Sequence, residues 1–336
     1  MRPAQLSTLL DLEFLSAREG SHTPVMLWGP PGVGKSQIVS QVASRHDAPV
    51  IDIRLSQMEP SDLRGIPFRV ENRVEWATPS MLPDEQRHGK FGILFLDEIT
   101  SCPPSVSAAA YQLILDRRLG EYRVPEGWAI FAAGNRQGDR GITYAMPSPL
   151  ANRFSHFEVE ANLDDWAAWA YSNGIDDRLI GFLRFRPELL FDFDPSHQAF
   201  PSPRSWEFAS RALSKFGNDL LLPALQGCVG PAAGLELHAF VMNLEKMPDI
   251  DAIMNGEDIP VPKEMDIQYA VAAALVRRAI RSEDKLGNVL EYALKFPVRE
   301  LGIMLVSDIH RAMGNKLFSV PEFSRWAGAV SEVLLY

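Results

Sequence analysis

One segment, VMLWGPPGVGKS at residues 25–36, constrains the fold of this chain more than any other. Its four apolar residues predict a buried strand, and its last eight residues match the pattern G-x-x-x-x-G-K-[ST]. The glycines let the backbone N–H groups wrap a phosphate chain without obstruction by side chains. A helix predicted over residues 37–45 would point the positive end of its dipole at the same anion. The residues predicted to bind the nucleotide are Gly29, Pro30, Pro31, Gly32, Val33, Gly34, Lys35, Ser36 and Gln37.

The lysine and the serine of this segment have separate predicted roles. Lys35 would reach the β- and γ-phosphates, and the Ser36 hydroxyl would hold Mg²⁺. The alternative is a glycine-rich turn that only joins a strand to a helix. Because the whole pattern is present in a strand–loop–helix context, the sequence favours a site for a nucleoside triphosphate.

The composition is that of an ordinary globular chain of two or three domains, with 336 residues, 46% hydrophobic and 23% charged. No apolar run reaches the roughly 18 residues of a membrane span, and acidic residues in positions 1–20 predict an amphipathic helix and not a signal peptide. Cys102 and Cys228 are the two cysteines, which fits a reducing cytoplasm and no disulfide framework. The net charge of −10 argues against broad, non-specific nucleic-acid binding.

Short apolar runs alternate with helical stretches in the first half of the chain. These runs predict strands that are apolar on both faces, as in a parallel sheet covered by helices, at residues 25–28, 49–53, 92–96, 128–134 and 156–160. A ligand of such a doubly wound α/β domain lies at the carboxyl ends of the strands. We therefore expect a nucleotide-binding domain with an N-terminal helix over residues 1–160. A helical lid over 161–226 and a C-terminal helical segment over 227–336 would follow, with the proline-rich, acidic stretch 248–266 as the best linker candidate.

Three polar residues follow two of these predicted strands. Asp97 would support Mg²⁺ together with Ser36, and Glu98 would polarise the attacking water as the catalytic base. Asn135 follows the strand at 128–134 and could contact the γ-phosphate or its water. Two solvated acids and a turn-forming asparagine are the alternatives. The preceding phosphate-loop pattern favours the catalytic interpretation of the two acids. For Asn135, the expected position of its strand beside the phosphate-loop strand favours it.

The segments GPPGVGKS, LFLDEI, AAGN, SPLANRF and SPRSW resemble those of an AAA+ ATPase, most closely the MoxR branch of the dynein-related AAA group. That resemblance implies a P-loop NTPase fold with sheet order 5-1-4-3-2. The strand before Asn135 would then lie between the strands that precede Lys35 and Asp97. It also implies ATP as the nucleotide and a homo-oligomeric ring, usually a hexamer, with ATP between subunits.

Two arginines acquire candidate roles from the resemblance. Arg153 in ANRF aligns with the family's arginine finger, which reaches the γ-phosphate of the neighbouring subunit, whereas the residues alone leave open a surface arginine near a helix end. Arg204 in SPRSW aligns with the second sensor arginine. Ser202 is a good N-cap and Pro203 a good first helical residue. Arg204 would then oppose the helix dipole, which suggests an anionic partner.

Two inserted segments also fit the MoxR-containing group. Residues Asp62, Leu63, Arg64 and Gly65 align with a loop that faces the ring pore, and a β-hairpin is predicted around Glu71. A second hairpin is predicted within residues 116–129, and edge hairpins without a pore role are the alternative for both. No aromatic–apolar–glycine tripeptide occupies the pore position. Phe68 is the nearby aromatic residue, but it lies toward the hairpin. Remodelling of a specific partner therefore suits the sequence better than processive threading.

The expected function is that of a cytoplasmic, Mg²⁺-dependent AAA+ ATPase that remodels or activates a partner protein in a chaperone-like way. The resemblance implies a partner with a von Willebrand factor A domain, and the client protein is not identified. One alternative is a nucleic-acid-directed motor or loader, for which only the short basic stretches at 184–186 and 277–281 are candidates. A GTPase of the restriction-system type and a nucleotide-gated scaffold are the others, although Glu98 argues against a scaffold.

Overall fold

The structure, a computed structural model, describes residues 1–136, 138–139, 144–194 and 196–334. The chain forms two compact units, Met1–Glu160 and Ala161–Tyr336. The predicted subdivision of the second unit at residue 226 stays a prediction. Within the described residues, no helix has the length and apolar character that crossing a membrane would require.

The first unit is built on a parallel sheet of five strands with two small hairpins beside it. The sheet order is β2-β5-β8-β1-β9, and every pair in it is parallel. Counted along the chain without the hairpin strands, this is the order 5-1-4-3-2, so the predicted topology is confirmed. The strands are β1 (Val25–Trp28), β2 (Val50–Arg54), β3 (Ile66–Val70), β4 (Arg73–Ala77), β5 (Phe91–Asp97), β6 (Arg118–Leu119), β7 (Tyr122–Arg123), β8 (Gly127–Gly134) and β9 (Ser155–Glu158).

The register of the sheet brings the carboxyl ends of its strands together. Trp28 at the end of β1 lies beside Gly134 of β8, and Arg54 at the end of β2 lies beside Asp97. The inner strands β5 and β8 are almost entirely buried, as predicted. The outer strands β2 and β9 are only partly buried, which differs from the expectation of two apolar faces, because an edge strand has a neighbour on one side only.

Helices cover the sheet of the first unit. In α1, the residues Leu6, Leu10, Phe14 and Ala17 are buried at intervals of three and four, so the predicted amphipathic helix is confirmed. The helix after the phosphate loop begins at Lys35, two residues before the predicted start. The helices of this unit are α1 (Pro3–Arg18), α2 (Lys35–Arg45), α3 (Pro60–Arg64), α4 (Glu85–His88), α5 (Pro104–Asp116) and α6 (Ser148–Ala151).

Both predicted hairpins are present. Strands β3 and β4 pair antiparallel, and Glu71 at their turn has a left-handed φ of 53°. At the base of this hairpin, a Cβ on Gly65 would lie 1.9 Å from the carbonyl oxygen of Ala77, so only glycine fits there. Strands β6 and β7 form the second, shorter hairpin.

The second unit is helical and has its own core. Gly181 of α8 allows close packing, because a Cβ there would lie 2.9 Å from the Cα of Ala270 in α13. The stretch 248–266, predicted as a linker, instead contains α12, which Asp249 caps and whose Ile253 is buried in this core. The helices are α7 (Leu163–Ser172), α8 (Asp177–Phe185), α9 (Pro203–Lys215), α10 (Asn218–Val229), α11 (Pro231–Asn243), α12 (Ile250–Met254), α13 (Met265–Arg281), α14 (Leu286–Ala293), α15 (Arg299–Met313) and α16 (Pro321–Leu334).

Candidate functional site

The predicted phosphate-binding segment forms a turn between β1 and α2. Gly32 and Gly34 adopt left-handed φ angles of 82° and 101°, which side chains rarely allow. Gly34 also occupies the N-cap of α2, so the first N–H groups of that helix face the turn. Val33 is buried and anchors the turn, whereas Gln37 is exposed on the first turn of the helix. The backbone of residues 29–36 therefore has the form of an anion-binding loop.

Lys35 lies over this loop and is only 9% exposed. Its Nζ donates hydrogen bonds to the carbonyl oxygens of Gly29 at 2.6 Å and Pro30 at 3.1 Å. It also donates to Oδ1 of Asn135 at 3.1 Å. These bonds hold the ammonium group at the mouth of the loop, where its charge would meet a bound phosphate.

Ser36 and Asp97, the two predicted metal ligands, lie in direct contact. The Ser36 hydroxyl donates to Oδ2 of Asp97 at 2.9 Å, although the two residues are 61 positions apart in the chain. The other carboxylate oxygen, Oδ1, accepts the backbone N–H of Glu98 at 2.8 Å. Hydroxyl and carboxylate oxygens are the hard ligands that Mg²⁺ binds, so this donor pair fits that ion.

Glu98 has an unusual backbone conformation. Its φ of 58° and ψ of 31° lie in the left-handed region, which is uncommon for a residue with a side chain. Such strain persists only where surrounding contacts hold it, and it clusters at functional sites. The Ser56 hydroxyl, just beyond the end of β2, donates to Oε2 of Glu98 and fixes the orientation of the carboxylate.

A buried threonine positions Asn135 through its backbone. The Asn135 N–H donates to Oγ1 of Thr100 at 3.1 Å, and that hydroxyl donates to the Asn135 carbonyl at 3.3 Å. A Cβ on Gly134 would lie 2.7 Å from the Thr100 side chain, so the residue before Asn135 must be small. With its backbone held in this way, the asparagine side chain faces Lys35.

Sequence reasoning did not identify three contributors to this region. Ser56 and Thr100 are ordinary hydroxyl residues in short turns, and their only signal was their place just after predicted strands. Asp52 of β2 was also missed. Burial, with help from the negative charge of Asp97, raises the pKa of Asp52, while Arg54 opposes this effect. The carboxyl ends of β2 and β5 therefore carry a concentration of negative charge.

Arg153 is not brought to the phosphate loop of its own chain. It follows α6 and precedes β9, and its side chain is exposed. Ser155, two residues later, lies beside Val25 at the amino end of β1, whereas the loop begins after Trp28 at the carboxyl end. Within the part of the chain that the structure describes, no hydrogen bond or ion pair involves its guanidinium group.

Arg204 lies in the second unit. Ser202 caps α9 in a capping box with Ser205, and Pro203 is the first helical residue, so the predicted cap is confirmed. Arg204 occupies the first turn of this helix and is exposed. Its contact with a nucleotide phosphate stays a prediction.

The two basic stretches proposed as nucleic-acid sites are largely neutralised by partners. Arg184 is buried and forms ion pairs with Asp308 and with Asp164. Arg186 and Arg278 also pair with nearby carboxylates. Arginines that are committed to internal ion pairs are poor ligands for a phosphate backbone.

Comparison with known proteins identifies relatives of part of this chain. The family described as "AAA domain (dynein-related subfamily)" matches residues 24–154. Midasin of Giardia intestinalis is 28% identical over 162 residues, which are 46% of this chain and 3% of that protein. NorQ of Paracoccus denitrificans (strain Pd 1222) is 25% identical over 185 residues, which are 52% of this chain and 67% of NorQ. The chain thus spans a very small part of one curated relative and about two thirds of the other.

Among solved structures, the chain is similar to the RuvB Holliday junction branch migration motor of Thermotoga maritima. The two chains are 14% identical, with a TM-score of 0.37 over 98% of this chain and 87% of that one. So distant a likeness assigns no role to any residue of this chain. The roles of its residues depend instead on the strand order and on the contacts around the loop.

Proposed function

We propose that this chain is an AAA+ ATPase of the MoxR type that hydrolyses ATP with Mg²⁺ in a homo-oligomeric ring to remodel or activate a partner protein. The observation that carries the proposal is the convergence of two hydrogen-bonded pairs, Lys35 with Asn135 and Ser36 with Asp97, around a single anion-binding loop. We also propose a hexamer as the ring and the cytoplasm as its location.

Each residue of the site has a role in the proposed hydrolysis. The backbone of residues 29–36 and the Lys35 ammonium group bind the phosphates. Ser36 and Asp97 would hold Mg²⁺, which when bound offsets the negative charge of the phosphate oxygens. Glu98 accepts a hydrogen bond from Ser56 and keeps further lone pairs, with which it polarises the attacking water. Asn135 orients that water or the γ-phosphate.

The position of Arg153 supports a ring. Because the arginine lies at the amino end of the sheet, the phosphate that it stabilises would belong to a different subunit. A head-to-tail interface of this kind closes into a ring when its rotation is suitable. Arg204 is proposed to bind the nucleotide from the helical lid.

A protein partner suits the described surface better than a nucleic acid does. The net charge is −10, and the basic stretches at 184–186 and 277–281 consist mostly of arginines with internal partners. We propose a partner with a von Willebrand factor A domain, for which the family resemblance is the support. The absence of an aromatic–apolar–glycine tripeptide at the pore position supports remodelling over threading.

The direct test compares Glu98→Gln with Glu19→Gln, which changes an exposed acid outside the site. Glu98→Gln should bind a fluorescent ATP analogue normally but hydrolyse ATP about 10²–10⁴-fold more slowly, because the amide cannot act as a base. Light scattering should show that it assembles when ATP is added. Unchanged hydrolysis would refute the catalytic role, and a monomer at every ATP concentration would refute the ring.

Further measurements separate the alternatives. Competition between ATP and GTP for the site decides the nucleotide. Addition of DNA or RNA at physiological salt tests the alternative of a nucleic-acid-directed motor, because such a motor should hydrolyse ATP faster when these polymers are present. Capture of a protein by ATP-bound Glu98→Gln and not by Lys35→Ala would identify the client.

A further inference from the structure

A cleft of about 740 Å³ lies along the outer edge of the sheet in the first unit. Its floor is β2, and its walls are the turn after β2, helix α3, the base of the β3–β4 hairpin and residues 78–81. This volume is within the range of about 300–1,000 Å³ that is usual for ligand sites. None of its lining residues belongs to the phosphate-binding loop, and Asp52 is the one lining residue already described near the candidate functional site.

The floor of this cleft offers backbone hydrogen-bonding groups. The Ile93 N–H of β5 donates to the Pro49 carbonyl. In this parallel pair, the backbone N–H and C=O groups of residues 49, 51 and 53 therefore face β5. The N–H and C=O groups of the alternate residues, including Asp52 and Arg54, therefore point away from the sheet. Among the residues that the structure describes, none hydrogen-bonds to these outward groups of Asp52 and Arg54. Both residues are exposed, so these groups can bond to water until another chain pairs with the edge.

The walls of the cleft offer apolar side chains. Met58 and Met81 line it, and so does Ile66, which is 68% exposed. Beyond Ile66 the hairpin continues with Phe68 and Trp76, both also exposed. An extended peptide that pairs with a sheet edge places alternate side chains toward such a surface. An unpaired strand edge next to apolar walls is the arrangement to which an extended peptide binds when it adds a strand to a sheet.

We infer that this cleft binds an extended segment of another polypeptide, which adds to β2 as a further strand of the sheet. The inference rests on the proposed function, because it names how the ring holds its partner protein. Helix α3, the base of the hairpin and residues 78–81 flank β2 in this cleft.

Charge selects a polypeptide over a nucleic acid at this site. Asp52 and Asp62 line the cleft, and Arg54 is the single base among its lining residues. The carboxylates of Asp97 and Glu98 lie close enough to Asp52 to act on it electrostatically, which adds negative charge next to the cleft. A phosphate backbone would be repelled by this arrangement, whereas an uncharged peptide backbone with basic side chains would be attracted.

The test uses a short fluorescein-labelled peptide of alternating lysine and valine, and fluorescence anisotropy with the full chain. Its control is the same peptide methylated at alternate backbone nitrogens, which keeps the side chains but removes the donors needed for strand pairing. We expect the methylated peptide to bind at least roughly tenfold more weakly, because it loses about two backbone hydrogen bonds.

Two pairs of variants test whether the peptide binds in the cleft. Asp52→Pro removes an outward N–H without touching the bonds to β5, and Asp52→Asn removes only the charge. Ser80→Trp fills the cleft from its outer wall, and Ser21→Trp makes the same change on an exposed loop before β1. Asp52→Pro and Ser80→Trp should each weaken binding roughly tenfold, and Ser21→Trp should leave it unchanged. Circular dichroism confirms that each variant is folded, and Ser80→Trp decides the matter if Asp52→Pro is not.

Several results would overturn the inference. These are equal binding of the two peptides, equal loss in both tryptophan variants, or no binding below about 1 mM. ATP hydrolysis is measured separately. Peptide binding without hydrolysis would refute the proposed function alone, and hydrolysis without peptide binding would refute this inference alone.

Discussion

Replacing Arg153 by alanine tests whether this arginine acts on the nucleotide of another subunit. Its side chain is exposed and follows a four-residue helix, so its removal should change the free energy of unfolding by less than about 0.5 kcal/mol. The rate of ATP hydrolysis should fall by about 10³–10⁵, as for fingers in related phosphoryl transfers. That loss corresponds to about 4–7 kcal/mol in the activation barrier. ATP binding should stay nearly normal.

The geometry of the sheet supports an effect that crosses a subunit boundary. Ser155 lies beside Val25, and the loop begins three residues further along β1, after Trp28. At about 3.3 Å per residue, these three steps place the arginine segment roughly 10 Å from its own loop along the strand direction. Phe154, which follows Arg153, is buried in the core and prevents this segment from shifting toward the loop.

Mixing two inactive variants separates action within a subunit from action between subunits. Lys35→Ala lacks a working phosphate site but keeps its finger, and Arg153→Ala has the reverse defect. In rings that assemble at random from equal amounts, roughly a quarter of the interfaces would join an intact site to an intact finger. Hydrolysis should therefore recover to about a quarter of the wild-type rate if the sites act independently. A finger that acts within its own subunit would allow no recovery.

The assay is steady-state phosphate release, with Arg123→Ala as the control for loss of an exposed arginine. Co-purification of differently tagged chains must first demonstrate mixed rings. Wild-type hydrolysis by Arg153→Ala would show that the finger assignment is wrong. Mixed rings without recovery, while Arg153→Ala alone is slow, would refute action between independent sites.

Other consequences can be measured on the same protein. Gly134→Ala should lower the free energy of unfolding by about 1–3 kcal/mol in urea titrations, because the new Cβ would lie 2.7 Å from a buried threonine; Gly227→Ala, a helical site with open space, should be neutral or stabilising, and equal effects would contradict the packing argument. Ser36→Ala should weaken ATP binding more with Mg²⁺ than without it, because the hydroxyl that contacts Asp97 is lost; calorimetry that finds equal losses would contradict the metal role. Burial, with Arg117 nearby, lowers the pKa of His22 from 6.5 to about 4, so the folded state keeps it neutral while the unfolded chain takes up a proton. The free energy of unfolding should thus decrease by on the order of 3 kcal/mol as the pH falls from 6.5 toward 4. His22→Gln should reduce that decrease, and an identical pH dependence in the variant would refute the assignment.

Local patterns were sufficient for the elements that carry the site. The apolar run at residues 25–28 and the glycines after it define a strand, a turn and a helix through steric and hydrogen-bonding preferences of neighbouring residues. The capping of α9 by Ser202, with Pro203 behind it, also depends on contacts within a few positions. The strand order came from the family resemblance and not from any local pattern.

Local sequence patterns could not predict contacts between segments that are distant in the chain. Ser56 meets Glu98, and Thr100 holds Asn135, because the fold brings the ends of different strands together. Arg184 is the clearest case. In the sequence it belongs to a basic stretch, yet the fold buries it against Asp308, 124 positions away. Charge counts could not distinguish these outcomes, because burial depends on packing.

By itself, therefore, the sequence determined the anion-binding loop, the identity of the groups around it and the hairpins, since these depend on short-range steric and hydrogen-bonding preferences. Only the tertiary structure decided that Arg153 lies at the end opposite its own loop and that residues 248–266 form part of a packed unit. These properties depend on which strands become neighbours and which side chains are buried. Both follow from the free energy of the whole fold and not from any one segment.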